Sequence, residues 1–164
     1  MSLILPWLEC TTALTQKLKD ASGEARLEIL NQNWQAANWW DKYVVNITSD
    51  TIFQREILMS SRNHPCWYAR TIIPEITYHA NTGIFKRLST ESLGDIIFSE
   101  QQITRTSLQH YCINAKTIEY YWLQPDWRDN EEILYLRLSH FTINNLLPFY
   151  LVEILLPGLL RATM

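Results

Sequence analysis

Glycine is scarce in this chain, with four among 164 residues, far below the average usage of about 7%. Gly23, Gly83, Gly94 and Gly158 stand too far apart to build a dinucleotide or phosphate loop. Cysteine is equally thin: Cys10, Cys66 and Cys112 are scattered and odd in number, which suits a reducing compartment and supplies no zinc site. His64, His79, His110 and His140 never form His-Glu-x-x-His and never sit beside a Cys at metal spacing. No Gly-x-Ser-x-Gly elbow offers a serine nucleophile. The expectation is chemistry with no metal and no cofactor, resting on ordinary side chains and a reactive substrate.

Long apolar runs are missing as well. Leu146 to Leu160 is interrupted by Pro148, Glu153 and Pro157, short of the ~18 apolar residues a spanning helix needs. Leu3-Ile4-Leu5 has no basic residue before it and is too short for a secretory signal. There is no excess of positive charge either: 14 Lys and Arg against 17 Asp and Glu give a net charge of −3, which argues against nucleic acid and against an anionic membrane surface. A cytoplasmic monomer without membrane insertion is expected, folded as a single domain over 1–164.

What the chain does have is apolar mass: 47% hydrophobic residues, with seven Trp, eight Tyr and five Phe, which excludes disorder. The pattern predicts a first helix from Pro6 to Lys19, ended by Ser22-Gly23, and a strand over Arg26 to Gln35. Thr51–Met59 and Cys66–Ile73 read as a hairpin around Ser60 to Pro65. Two short helices fall between Asn81 and Ser99. Strands follow at Ile103–Ile113, Thr117–Leu123, Ile133–Leu138 and Phe149–Leu156. Grouped strands with helices at the front and middle indicate an α+β fold, one mainly antiparallel β-sheet with helices packed at its face and ends.

Two charges stand out. Alternation puts Arg70 with Cys66, Tyr68 and Ile72, opposite Trp67, Ala69, Thr71 and Ile73. Glu153 shares a face with Phe149, Leu151 and Leu155. Strands apolar on both faces are central and covered, where a charge costs several kcal/mol unless it is compensated. Arg70 and Glu153 either pair with each other or local backbone, or they line a dry pocket. In the pocket reading Arg70 holds a carboxylate by its fork and Glu153 handles a proton at the ligand's other end. Arg105 and Arg137 are weaker candidates that could hold a second anionic group, with a surface role the plainer reading of each; Arg55 and Glu56, being adjacent, point to opposite faces, so a solvated edge is the plainer reading for at least one of them.

In order along the chain, these runs resemble the chorismate pyruvate-lyase family. Arg55-Glu56-Ile57-Leu58 with Trp67-Tyr68-Ala69-Arg70-Thr71-Ile72-Ile73-Pro74 is similar to its first hairpin and substrate-binding arginine. Leu93-Gly94 with Ile97-Phe98 is similar to its "PLG…LF" segment, and Ile103-Thr104-Arg105 to its "LTR". Tyr135-x-Arg137-x-Ser139-x-Phe141 is similar to "WxRRSxF", and Leu151 to Pro157 to the closing "LxxExFLP". Ser92 and Tyr135 depart from the family's Pro and Trp, and the stretch 106–134 is longer than usual. The resemblance implies a cofactor-independent lyase that converts chorismate to 4-hydroxybenzoate and pyruvate for ubiquinone or plastoquinone synthesis. Substrate contacts would fall on the Arg70 and Glu153 side chains and on the backbone at Leu14 and Leu93, with Arg70 and Glu153 as the catalytic pair. The competing function is a non-catalytic binding module for an aromatic carboxylate.

Overall fold

The computed structural model describes residues 3–164. Its elements run α1 (Leu5–Leu8), α2 (Leu14–Ser22), β1 (Arg26–Ala36), α3 (Trp39–Tyr43), β2 (Thr51–Ser61) and β3 (His64–Pro74). Then come α4 (Glu75–Ala80), α5 (Thr82–Phe85), a 3-10 turn (Lys86–Ser89), α6 (Leu93–Ser99) and β4 (Ile103–Ile113). A second 3-10 turn (Ile118–Trp122), α7 (Pro125–Arg128), β5 (Leu134–Ile143), β6 (Leu147–Leu155) and α8 (Gly158–Thr163) complete the order. The six strands form one sheet in the order β1-β2-β3-β6-β5-β4, and every neighbouring pair is antiparallel. The fold is therefore α+β, as the grouping of strands predicts.

Each sheet face buries its own core, as strands apolar on both sides require. One face packs Phe53, Ile57, Trp67, Ile73, Phe141, Phe149 and Leu155 against Leu8, Leu18, Phe85, Leu88, Ile96 and Leu159 from the helices. The other packs Ile52, Tyr68, Ile72, Leu136, Val152 and Ile154 under Trp40, Ile47, Tyr120 and Leu123. Two tight junctions hold the first layer in place. Gly23 closes α2 with φ of +95°, a left-handed cap that glycine takes without strain. Gly158 starts α8 so close to β3 that a Cβ there would lie 2.2 Å from the Pro65 carbonyl oxygen.

Two sequence expectations are corrected. The helix expected over Pro6–Lys19 is two, α1 and α2, separated by the loop Glu9–Ala13. The 3-10 turn Ile118–Trp122 replaces the strand expected over Thr117–Leu123. Its aromatic and β-branched residues favour strand locally, but burying Tyr120 and Leu123 against the second sheet face outweighs that preference. The short helices α3, α4, α7 and α8 lie where the sequence suggested none: each is a turn or so long, and tertiary packing rather than periodicity defines them.

Candidate active site

Arg55 lies on β2 directly across from Thr71 on β3, so it points to the face that carries Ala69, Trp67 and the first core. Glu153 on β6 is flanked by Ala69 of β3 on one side and Arg137 of β5 on the other. All of these side chains therefore stand on one side of the sheet. A cavity of about 220 Å³ opens between them, smaller than the roughly 300–1,000 Å³ of drug-sized sites and suited to one ring with short substituents. Its floor is Ile57, Ala69, Thr71 and Leu151, and its roof is the end of the α1–α2 loop and the first turn of α2 (Thr11–Thr15) together with Ser92, Leu93, Gly94 and Phe98.

The charged groups in this cavity are Arg55, Arg105, Arg137 and Glu153. Arg137 is 1% exposed and Glu153 6%. The Arg137 Nε donates to Glu153 Oε1 at 2.9 Å, while its Nη1 donates to the Trp7 carbonyl. The pair is thus fixed by register and by the α1 backbone. Arg55 is only 2% exposed, and its one hydrogen bond among the described residues runs from Nη2 to the Glu91 carbonyl at 3.1 Å. Its buried Nε has no partner. Burial lowers the Arg55 pKa to about 10, so at neutral pH it remains a cation, stripped of water and short of acceptors. Arg105 donates from Nη1 to the Thr11 carbonyl at 3.2 Å and rests over the Phe141 ring. Its Nε is also unpartnered, and burial followed by the nearby Arg137 charge lowers its pKa. Guanidinium donors left without a protein partner in a largely apolar cavity favour an anion there.

Arg70 is elsewhere. It sits across from Glu56 on β2 and Val152 on β6, one residue out of phase with Glu153, and therefore on the opposite face of the sheet. There its Nη2 donates to Glu56 Oε1 at 3.0 Å, its Nε donates to the Tyr68 hydroxyl at 3.0 Å, and its guanidinium lies 3.7 Å from the Trp122 ring centroid. The Tyr68 hydroxyl donates to Glu56 as well. The expected convergence of Arg70 and Glu153 on one cavity is corrected: a single step of strand parity separates them by the thickness of the sheet. Neither pairs with the other. Leu14 and Leu93 do line the cavity, at the first positions of α2 and α6, where backbone N–H groups have no partner within the helix.

Sequence reasoning undervalued Arg55, Arg105 and Arg137. Parity puts Arg55 and Glu56 on opposite faces; which of them shares the face of Thr71 is given by the pairing of β2 with β3. The long 106–134 stretch ends β4, forms the turn Ile118–Trp122 and α7, and covers the second face, where Trp122 roofs Arg70.

The sequence matches the family model for chorismate lyase over residues 1–161. The chain belongs to the chorismate lyase family. Among curated relatives it is 29% identical over 109 residues to a probable chorismate pyruvate-lyase of Pasteurella multocida, covering 65% of this chain and 62% of that protein. A probable chorismate pyruvate-lyase of Pseudoalteromonas translucida is 27% identical over 152 residues, covering 93% of this chain and 83% of the relative. The chorismate pyruvate-lyase of Pectobacterium atrosepticum is 21% identical over 107 residues, 65% of this chain and 60% of that one. The matched stretches thus span a little under two thirds of two of these relatives. Among solved structures, PhnF from Mycobacterium smegmatis aligns with a TM-score of 0.61 at 13% identity, over 91% of this chain and 65% of that one. The ligand-binding domain of a GntR-family transcriptional regulator from Bordetella bronchiseptica aligns at 0.55 and 13%, over 83% and 85%. These likenesses establish the fold.

Proposed function

We propose that this member of the chorismate lyase family converts chorismate to 4-hydroxybenzoate and pyruvate. The observation that carries the reading is the charge of the cavity: three guanidinium groups against one carboxylate, an excess of two positive charges that suits a dianion. Arg55 on β2 and Glu153 on β6 are separated by β3, a spacing of roughly 10 Å between strand axes. A six-membered ring bearing a carboxylate at one end and oxygens at the other can bridge that gap with contacts at both ends.

Arg55 then holds the ring carboxylate with the donors it leaves unused, and Arg105 receives the enolpyruvyl carboxylate. Glu153, oriented by Arg137, meets the oxygen-bearing end. The ring C4–H proton is lost, the C3–O bond breaks, and the departing enolpyruvate gains one proton at its methylene carbon to become pyruvate. Electrons balance within the substrate, and aromatisation drives the step. Glu153 is the group placed to hold or move that proton. The backbone at Leu14 and Leu93 closes over the ring and excludes water. The product would supply the ring of ubiquinone or plastoquinone.

A second reading, an aromatic-carboxylate binding module without turnover, is favoured by the fold shared with a regulator's ligand-binding domain. One experiment separates the two. Purified protein mixed with chorismate is expected to yield pyruvate and 4-hydroxybenzoate in equal amounts. Binding without pyruvate supports the module, and neither binding nor turnover overturns both readings.

A further inference from the structure

Arg87 lies outside the cavity on the 3-10 turn before α6, yet its guanidinium grips both ends of the segment that roofs the site. Its Nε and Nη2 donate as a fork to Glu91 Oε2 and Oε1 at 2.7 and 2.8 Å. Its Nη1 donates to Glu100 Oε1 at 2.7 Å, and Nη2 also donates to Ser99 Oγ at 2.9 Å. Glu91 precedes Ser92, the N-cap of α6, and Ser99 and Glu100 close that helix. The seven-residue α6 is too short to be stable alone, so ties at its two ends decide where Ser92, Leu93 and Gly94 sit above the ligand space.

The same tie reaches the cavity's principal anion anchor. The carbonyl of Glu91 is the one protein acceptor that Arg55 has among the described residues. The side chain of Glu91 is in turn held by Arg87. Isolated surface ion pairs contribute little, but a bidentate arginine shared between two carboxylates is the arrangement in which they do count. Without Arg87, Glu91 and Glu100 would lose the one cation they share and repel each other across the gap it fills.

We infer that Arg87 is a positioning residue: through Glu91 it sets both the roof segment 92–94 and the aim of the Arg55 guanidinium. The kinetic part of this inference rests on the lyase reading; the structural part does not. The test compares the unaltered protein with Arg87→Gln and Glu91→Gln, the second of which keeps the carbonyl that Arg55 uses. Three quantities are measured: melting temperature, backbone hydrogen exchange by segment, and KM and kcat for chorismate. Both variants are expected to melt near the unaltered protein and to exchange faster in 90–99 only. Both should lose about tenfold to a hundredfold in kcat/KM, as misplacement by about 1 Å can, mostly through KM. Unchanged exchange in 90–99 overturns the inference, as does faster exchange with unchanged KM. If Arg87→Gln fails to fold, Glu91→Gln decides. Should the unaltered protein show no turnover, the lyase reading fails and the exchange data still decide the clamp.

Discussion

Glu153 is kept in the cavity by the arginine beside it. The Arg137 guanidinium lies in direct cross-strand register and is itself 1% exposed, so the two charges are compensated where they stand. Removing one partner of a buried pair leaves the other uncompensated, which typically costs 3–5 kcal/mol. Arg137→Met is therefore expected to lower the melting temperature strongly, measurable by calorimetry, even though methionine fills much of the same space. Glu153→Gln behaves differently, since the amide keeps shape and an acceptor for Arg137 Nε. If Glu153 moves a proton, this variant loses kcat by about a hundredfold or more while 4-hydroxybenzoate affinity holds. Unaltered kcat would remove the proton role and leave Glu153 as a binding group.

At the scale of elements, strand register decides which charges meet. The hairpin β2–β3 was legible because its two apolar runs flank a polar turn, and Glu153 was placed among the right neighbours by alternation alone. Alternation fixes which residues of one strand share a face; it does not fix the phase of one strand against another. That phase is set by pairings such as Arg55 with Thr71 and Ala69 with Glu153, which arise from long-range packing. For this reason Arg70 read as a cavity residue, and alternation left open which of Arg55 and Glu56 is the solvated one. The loop Glu9–Ala13 joins α1 to α2 and carries Thr11, Thr12 and Ala13 onto the cavity. Gly158 gives an element-scale test. The 2.2 Å approach of an added Cβ to the Pro65 carbonyl is against backbone, so Gly158→Ala must push α8 off β3. A loss of about 1–3 kcal/mol in denaturant unfolding, as for overpacked sites, is the expected outcome.

Over the whole molecule, the chain carries a net charge of −3 while its cavity holds two positive charges in excess. The composition argues against nucleic acid as a partner, but it could not reveal a cationic interior, because a sum over the chain hides where charges are buried. The family likeness supplies the reaction class, and strand register brings Arg55 to the cavity. A ligand that binds only the folded state stabilises it by about 2.7 kcal/mol at a hundred times its dissociation constant. For a chain of this length that corresponds to a rise of roughly 5–10 °C in melting temperature. 4-Hydroxybenzoate is expected to produce that rise, and benzamide, which lacks the anionic charge, to produce little.

The most direct measurement is the dissociation constant of 4-hydroxybenzoate for Arg55→Gln set beside Arg70→Gln, each checked for fold by circular dichroism. Loss of charge-assisted hydrogen bonds at about 1.5–3 kcal/mol each corresponds to a weakening of about tenfold to a hundredfold or more for Arg55→Gln. Arg70→Gln, altered on the far side of the sheet, is expected to lose stability and keep its affinity. Retained affinity in the Arg55 variant together with lost affinity in the Arg70 variant would contradict the placement of the anion site on the Glu153 face.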